Sequence, residues 1–279
     1  MLTAPINKIL PYSVVDGPGN RVSIFFQKCN IHCSYCHNPE TQNLCLNCGA
    51  CVESCPAGAL TIRDGRVIWD ETACCGCDTC IKLCPHHASP KVKYMTPMEV
   101  YDKVCESIPF IRGITVSGGE CGLYPEFLTE LFPLVKAKGL SCLMDCNGTI
   151  DLSLYPELME YCDGVMLDVK SWDCETFRKL TGSGNELVKK NLKWLYEHDK
   201  LTEVRIVCIP GLVDAEDCID GIADMLGKDA VRNVLLKLIR FRRFGVKGEL
   251  ASMPSPVMDY MRGLCGQARE QGFRKIMIL

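Results

Sequence analysis

No run of apolar residues in this chain approaches the ~18–20 needed to cross a bilayer, which excludes a membrane-spanning protein. The opening residues, MLTAPINKILPYSVVDGPG, hold three prolines and no apolar leader segment, so no secretory signal is expected. Basic residues are not in excess: 31 Lys and Arg stand against 34 Asp and Glu, a net charge of −3, and nothing favours a polyanion partner such as nucleic acid. Neither is there the composition of disorder, with 47% hydrophobic and 23% charged residues. The 279 residues suffice for one large domain, or one with a small insertion.

What the chain has in quantity is cysteine, 21 in all. Without an export signal, and at a length that needs no staples, disulfides are a poor explanation. Position sorts the thiols. Twelve lie between Cys29 and Cys84, and the other nine are scattered from Cys105 to Cys265. Dense, regularly spaced thiols in a reducing compartment, the cytoplasm, point to metal.

Residues 45–56 read CLNCGACVESCP and residues 74–85 read CCGCDTCIKLCP. Each contains C-x2-C-x2-C-x3-C-P, the run of bacterial ferredoxins, in which the fourth cysteine serves the other cluster. One [4Fe–4S] set is therefore Cys45, Cys48, Cys51 and Cys84, and the other Cys55, Cys74, Cys77 and Cys80. Cys75 has the wrong offset and is a spectator. Between the runs, TIRDGRVIWD reads as a hairpin turning at Asp64-Gly65. Zinc knuckles also use C-x2-C, but two four-cysteine runs ending in x3-C-P favour iron–sulfur clusters.

The segment CNIHCSYC (29–36) is a different object, with three thiols at C-x3-C-x2-C spacing and no obvious fourth. Three ligands leave one iron of a [4Fe–4S] cluster open, and open coordination is where a metal centre does chemistry on a bound molecule. The alternative is closure by one of the nine distant cysteines.

The residues that follow decide between these. VDGPGNR (15–21), CNIHCSYCHNPET (29–41), TVSGGE (115–120), MDCNG (144–148), MLDVK (166–170) and VRIVCIPG (204–211) together resemble a radical S-adenosylmethionine (SAM) enzyme, and within that group a glycyl-radical-enzyme activase. KILPYSVVDGPG, the inserted ferredoxin-like runs and GITVSGGE most resemble the YjjW-like branch. The resemblance implies a partial (β/α)6 barrel formed by residues 1–40 and 88–279, with residues 41–87 as an inserted two-cluster ferredoxin-like domain.

Local patterning agrees with an α/β fold. Short β-rich runs at 21–27, 113–118, 140–145, 164–169, 202–209 and 233–239 alternate with helical stretches at 98–108, 125–138, 185–198 and 215–227. The cysteine loop, SGGE, DCNG, DVK and IPG all follow such runs, at the strand ends where barrel sites gather.

The resemblance also assigns roles. SAM contacts are implied for Tyr35, Cys36, His37, Gly118, Gly119, Glu120, Asp168, Val169, Lys170, Arg205 and Arg242. The glycines are expected to admit close backbone approach, and Lys170 and Arg205 to meet a carboxylate. Asp145 and Asp168, with backbone carbonyls near Cys146 and Met166, are expected to surround a monovalent cation, Na⁺ or K⁺. Two positions depart from the family pattern. Arg242 stands where relatives often carry His and has no proton role near pH 7, and Cys146 stands where Thr or Ser is usual. His86, His87 and His198 show no partner pattern.

The activity the resemblance implies is reductive cleavage of SAM to methionine and a 5′-deoxyadenosyl radical, which takes hydrogen from a glycine Cα of a partner glycyl radical enzyme. Flavodoxin or ferredoxin is the expected electron donor, and a monomer the expected state. The competing readings are a small-molecule radical SAM enzyme, with a closed polar pocket, and an electron carrier with three closed clusters.

Overall fold

The chain alternates strands and helices, and several helices begin where the sequence supplies a cap. A computed structural model describes residues 1–279. Its first half runs β1 (Ala4–Ser13), β2 (Arg21–Phe26), β3 (Leu60–Arg63), β4 (Arg66–Trp69), α1 (Thr79–Leu83), β5 (Lys93–Met95), α2 (Pro97–Cys105), β6 (Gly113–Gly118) and α3 (Pro125–Lys136). The second half runs β7 (Ser141–Cys146), α4 (Pro156–Tyr161), β8 (Gly164–Asp168), α5 (Cys174–Thr181), α6 (Glu186–Glu197), β9 (Leu201–Cys208), α7 (Ala215–Leu226), β10 (Leu235–Arg240), α8 (Met258–Glu270) and β11 (Lys275–Ile278). Thr96 and Glu99 form a reciprocal capping box for α2, and proline opens α2, α3 and α4, where a missing N–H costs nothing. Asp173 accepts from Thr176 N at 2.8 Å to start α5, which stops at Gly182 with φ +77°.

Nine strands form one sheet in the order β11-β10-β9-β8-β7-β6-β2-β1-β5. The six strands expected from the pattern, β2 and β6–β10, pair in parallel. The sheet goes beyond that expectation. β11 adds a parallel strand outside β10, while β1 and then β5 add antiparallel strands outside β2. Prolines at positions 5 and 11 mask β1; its pairing with β2 is irregular between Leu10 and Ser13, next to Pro11. β5 and β11 have only three and four residues, too few for a period to show.

Alternation then divides the side chains. On β9, Val204, Ile206 and Cys208 are fully buried in a 54-residue core that also holds Leu192 of α6 and Ile219 of α7. Glu203, Arg205 and Val207 take the opposite face, and register sets Arg205 beside Asp168 on one side and Lys237 on the other.

VDGPGNR closes the end of this interior away from the cysteine loop. The Asp16 carboxylate accepts from Ser13 and Ser23 at 2.6 and 2.7 Å. Gly17, at φ +113°, comes so close that a Cβ there would lie 3.0 Å from Leu143 Cδ1 and 3.5 Å from Met166 Sδ. Arg21, 1% exposed, donates to Ile114 O, Thr115 Oγ1 and Ser141 O at 2.7, 2.9 and 3.0 Å.

The segment between Asn43 and Ala88, which form an isolated bridge, has its own two-stranded sheet. Asp64 and Gly65, at φ +49° and +70°, make the expected tight turn between β3 and β4. Its own core is three residues, Cys51, Leu60 and Cys80. Thr41 and Gln42 face the other way, accepting Lys28 N at 2.8 Å and Cys29 N at 2.9 Å.

Candidate functional site

The cysteine loop leaves β2 and is pinned on two sides by backbone. Besides Thr41 and Gln42, the end of α5 holds it: Thr181 O accepts His32 N at 2.8 Å and Leu180 O accepts Ser34 N at 2.9 Å. Cys29, Cys33 and Cys36 line one cavity of about 200 Å³ together with Tyr35 and His37. Among the other cysteines only Cys146 lines it. Burial pushes the Cys29 thiol up to about 12 and Cys33 to about 11, so without metal both hold their protons. No three His, Cys, Asp or Glu side chains anywhere converge as they would around a single ion.

Two ion pairs form the floor. Arg205 Nη1 lies 2.9 Å from Asp145 Oδ2, and Lys170 Nζ lies 2.9 Å from Asp168 Oδ2. Arg205 also pairs with Glu203, which takes Lys237 at 2.7 Å, forming a chain of alternating charge at the base. Burial raises the Asp145 carboxyl while Arg205 pulls it back, and the carboxylates in turn hold Arg205 and Lys170 protonated despite their burial. Tyr35 lines the same cavity; its hydroxyl is buried without a hydrogen-bond partner, and its ring centre lies 5.9 Å from Lys170 Nζ.

Gly118 and Gly119 line the cavity, and packing within the fold itself already requires glycine at both. A Cβ on Gly118 would collide with the backbone of Phe26, and one on Gly119 with the carbonyl of Lys28. The pair lets the end of β6 pack on the start of the cysteine loop, where Gly119 N donates to Phe26 O at 2.9 Å.

Four of the expected contacts do not line the cavity. Glu120 is 1% exposed, its carboxylate accepting from Gly122 N and Asn147 N, both at 2.8 Å; burial pushes it up to about 7. Val169 is buried and donates its N–H to Arg205 O at 2.8 Å. Met166 presents its sulfur to Arg205 Nη2 at 3.0 Å. Arg242 is exposed, and only its carbonyl reaches the site, 2.8 Å from His37 Nε2. Sequence reasoning missed Asn147, whose Nδ2 stands 3.6 Å from Cys29 Sγ and 3.1 Å from Asn30 Oδ1. Its place in MDCNG, directly after a strand end, was the available signal.

The thiols between Cys45 and Cys84 form two groups. Cys45, Cys48, Cys51 and Cys84 ring one small cavity, and Cys55, Cys74, Cys77 and Cys80 ring another with Cys75 beside them. Their electrostatics are mixed: burial pushes Cys51 up to about 11 and also raises Cys80, as in the barrel loop. Hydrogen bonds from Thr79 hold the exposed Cys77 thiol down to about 7, and Cys74 is also lowered.

Residues 23–220 match the family model of the radical SAM superfamily. The chain is 35% identical, over 80% of its length and 78% of the relative's, to the choline trimethylamine-lyase activating enzyme of Oleidesulfovibrio alaskensis. It is 31% identical, over 87% of its length and 86% of the relative's, to the (2S)-3-sulfopropanediol sulfolyase activating enzyme of Bilophila wadsworthia. Among solved structures, QueE from Escherichia coli superposes with a TM-score of 0.58 at 14% identity, covering 100% of this chain and 95% of that one, which speaks to the fold alone. The chain belongs to the radical SAM superfamily and, within it, to the glycyl-radical-enzyme activating enzymes.

Proposed function

We propose that this chain activates a glycyl radical enzyme by removing a hydrogen atom from a glycine Cα of that partner. The observation that carries the reading is one cavity holding three thiols on a pinned loop above two buried ion pairs. Radical SAM membership brings a [4Fe–4S] cluster and SAM. The residues present fit both: three thiols are one short of a closed cluster, the Tyr35 hydroxyl lacks a partner, and Lys170 and Asp168 offer both charges to a zwitterion. When bound, the cluster would supply the one electron that cleaves SAM to methionine and a 5′-deoxyadenosyl radical, the species that would take the hydrogen.

The chain's own residues then have defined tasks. Cys29, Cys33 and Cys36 hold the cluster, with Asn147 donating to Cys29 and fixing its direction. Tyr35 and His37 close the side of the loop, and Gly118 and Gly119 keep β6 tight against it. Lys170 orients the SAM carboxylate, while Arg205, held by Asp145 and Glu203, keeps a positive charge under the ligand. Asp145 and Asp168 have the oxygen donors that Na⁺ or K⁺ prefers, but each already has a cationic partner, so the proposal does not require that ion. Glu120, Val169 and Met166 support these groups from behind.

Residues 41–87 we assign as a ferredoxin-like insert with two closed [4Fe–4S] clusters, supplied with electrons by flavodoxin or ferredoxin; we place the protein in the cytoplasm as a monomer. No helix is long and apolar enough to cross a membrane. The test is to incubate the reduced protein with SAM and a partner deuterated at glycine Cα. Deuterium is expected in 5′-deoxyadenosine, and the doublet radical signal of unlabelled partner is expected to collapse to a narrower line. No transfer, with a small metabolite driving SAM consumption instead, overturns the assignment.

A further inference from the structure

Three cavities share walls in a fixed order. The cavity ringed by Cys45, Cys48, Cys51 and Cys84 includes Pro85 and His86. Those two residues also line a larger cavity of about 520 Å³, which Cys33, Cys36 and Gln42 line as well. The same three residues line the cavity of the cysteine loop. The Cys55, Cys74, Cys77 and Cys80 cavity shares no residue with either of the last two; it meets its neighbour through Cys51 and Cys80, packed together in the small core.

A hydrogen-bonded bridge crosses the larger cavity's wall. Gln42 is 5% exposed; its carbonyl accepts Cys29 N at 2.9 Å, and its Nε2 donates to Cys33 O at 3.5 Å. Its Oε1 accepts from His87 Nδ1 at 3.0 Å. His87 lies three residues after Cys84 and is held at φ +50°, a conformation unusual for histidine. Asn43 reinforces the crossing, with its N donating to His87 O at 3.1 Å and its Nδ2 to His86 O at 2.9 Å. Lys247 ties the same exit to the barrel, donating to Ile81 O and Cys84 O at 3.1 and 3.4 Å. One side chain thus touches both the open-site loop and the exit of the insert.

We infer that Gln42 and His87 are positioning residues that couple the insert to the cysteine loop for one-electron transfer, with the Cys45, Cys48, Cys51 and Cys84 set as the inner of the two. This rests on reading the insert's clusters, supplied by flavodoxin or ferredoxin, as a relay to the barrel cluster rather than as a shape that docks the partner. The balance is simple: a one-electron protein donor is oxidised by one electron, the outer and then the inner set pass it on, and the barrel cluster is reduced by one. No proton moves.

The test uses the full, iron-loaded protein. Reduced flavodoxin is mixed with it, and freeze-quenched samples are read by electron paramagnetic resonance, with SAM added to mark the barrel cluster's signal. In Gln42→Leu and His87→Gly at unchanged iron content, the insert signals are expected at the wild-type rate and the barrel-cluster signal to appear about tenfold more slowly. His87→Asn, which tolerates the same φ and retains a side-chain donor, is expected to restore most of that rate. Direct reduction by dithionite is expected to be unchanged in all three. Magnetic coupling between the barrel cluster and its neighbour is expected to vanish in Cys48→Ala and to persist in Cys77→Ala. Wild-type rates in both Gln42→Leu and His87→Gly overturn the bridge, and the reverse pattern of coupling overturns the order. If Cys48→Ala and Cys77→Ala both leave reduction by flavodoxin unaffected, the relay reading itself fails, which is a distinct result.

Discussion

The two cysteine-rich regions of this molecule reach their shapes by opposite means. The barrel loop of Cys29, Cys33 and Cys36 is fixed by backbone hydrogen bonds from Thr41, Gln42, Leu180 and Thr181, and it stands on a 54-residue core. The insert has eight matched thiols and a core of three residues, two of which are themselves cysteines. A segment that buries so little apolar surface cannot offset its chain entropy alone. Its stability must come through its thiols, as in small metal-dependent domains. The thiols follow their surroundings. Those of the barrel loop are pushed up by burial, as are Cys51 and Cys80 in the insert's small core, whereas the half-buried Cys74 and the exposed Cys77 are lowered by hydrogen bonds. The lesson is that a reactive centre is built on structure that exists without it, while a closed centre can be the structure.

Removing the iron should break this symmetry most visibly. With a chelator under reducing, anaerobic conditions, amides of β3, β4 and α1 are expected to lose hydrogen-exchange protection entirely, while β6–β9 keep theirs. Equal protection in both regions after iron removal would mean that the insert folds on its own.

A smaller effect sharpens the barrel side. Glu120 titrates near 4.5 when unfolded and about 7 when folded, so the folded state binds its proton more tightly. Its contribution is fully present below 4.5 and is lost as pH rises through 7, so barrel stability should fall across that window. Glu120→Gln should flatten this fall and, because an amide has one acceptor oxygen, cost about 1 kcal/mol through the bond to Gly122 or Asn147. Urea unfolding of the iron-free chain at several pH values measures both; an unchanged slope would show that another group carries it.

Much of the architecture was legible because the six parallel strands are buried on both faces and read as apolar runs, as GVMLDV does. The edge strands were not, since β1 carries two prolines and β5 and β11 are too short to show a period. The thiol groupings followed from spacing, whereas Asp145, Asp168, Lys170 and Arg205 were singled out by the family resemblance of motifs that follow strands. What spacing does not reveal is which way a side chain points. Glu120 turns inward to cap two backbone amides, and Arg242 turns out to solvent, although both sit in motif segments. VDGPGNR reads as a signature, yet it acts as the floor of the sheet through Gly17 and Arg21. Gln42 and His87 meet across 45 positions, and no local pattern announces such a pair.

The central claim, one open cluster on a barrel and two closed ones in an insert, is tested most directly by the metal content of the intact chain. Anaerobic reconstitution should load about twelve irons, and about eight when Cys29, Cys33 and Cys36 are all replaced by alanine. About four irons in the unaltered chain, stoichiometric zinc, or no change in the triple variant would contradict it.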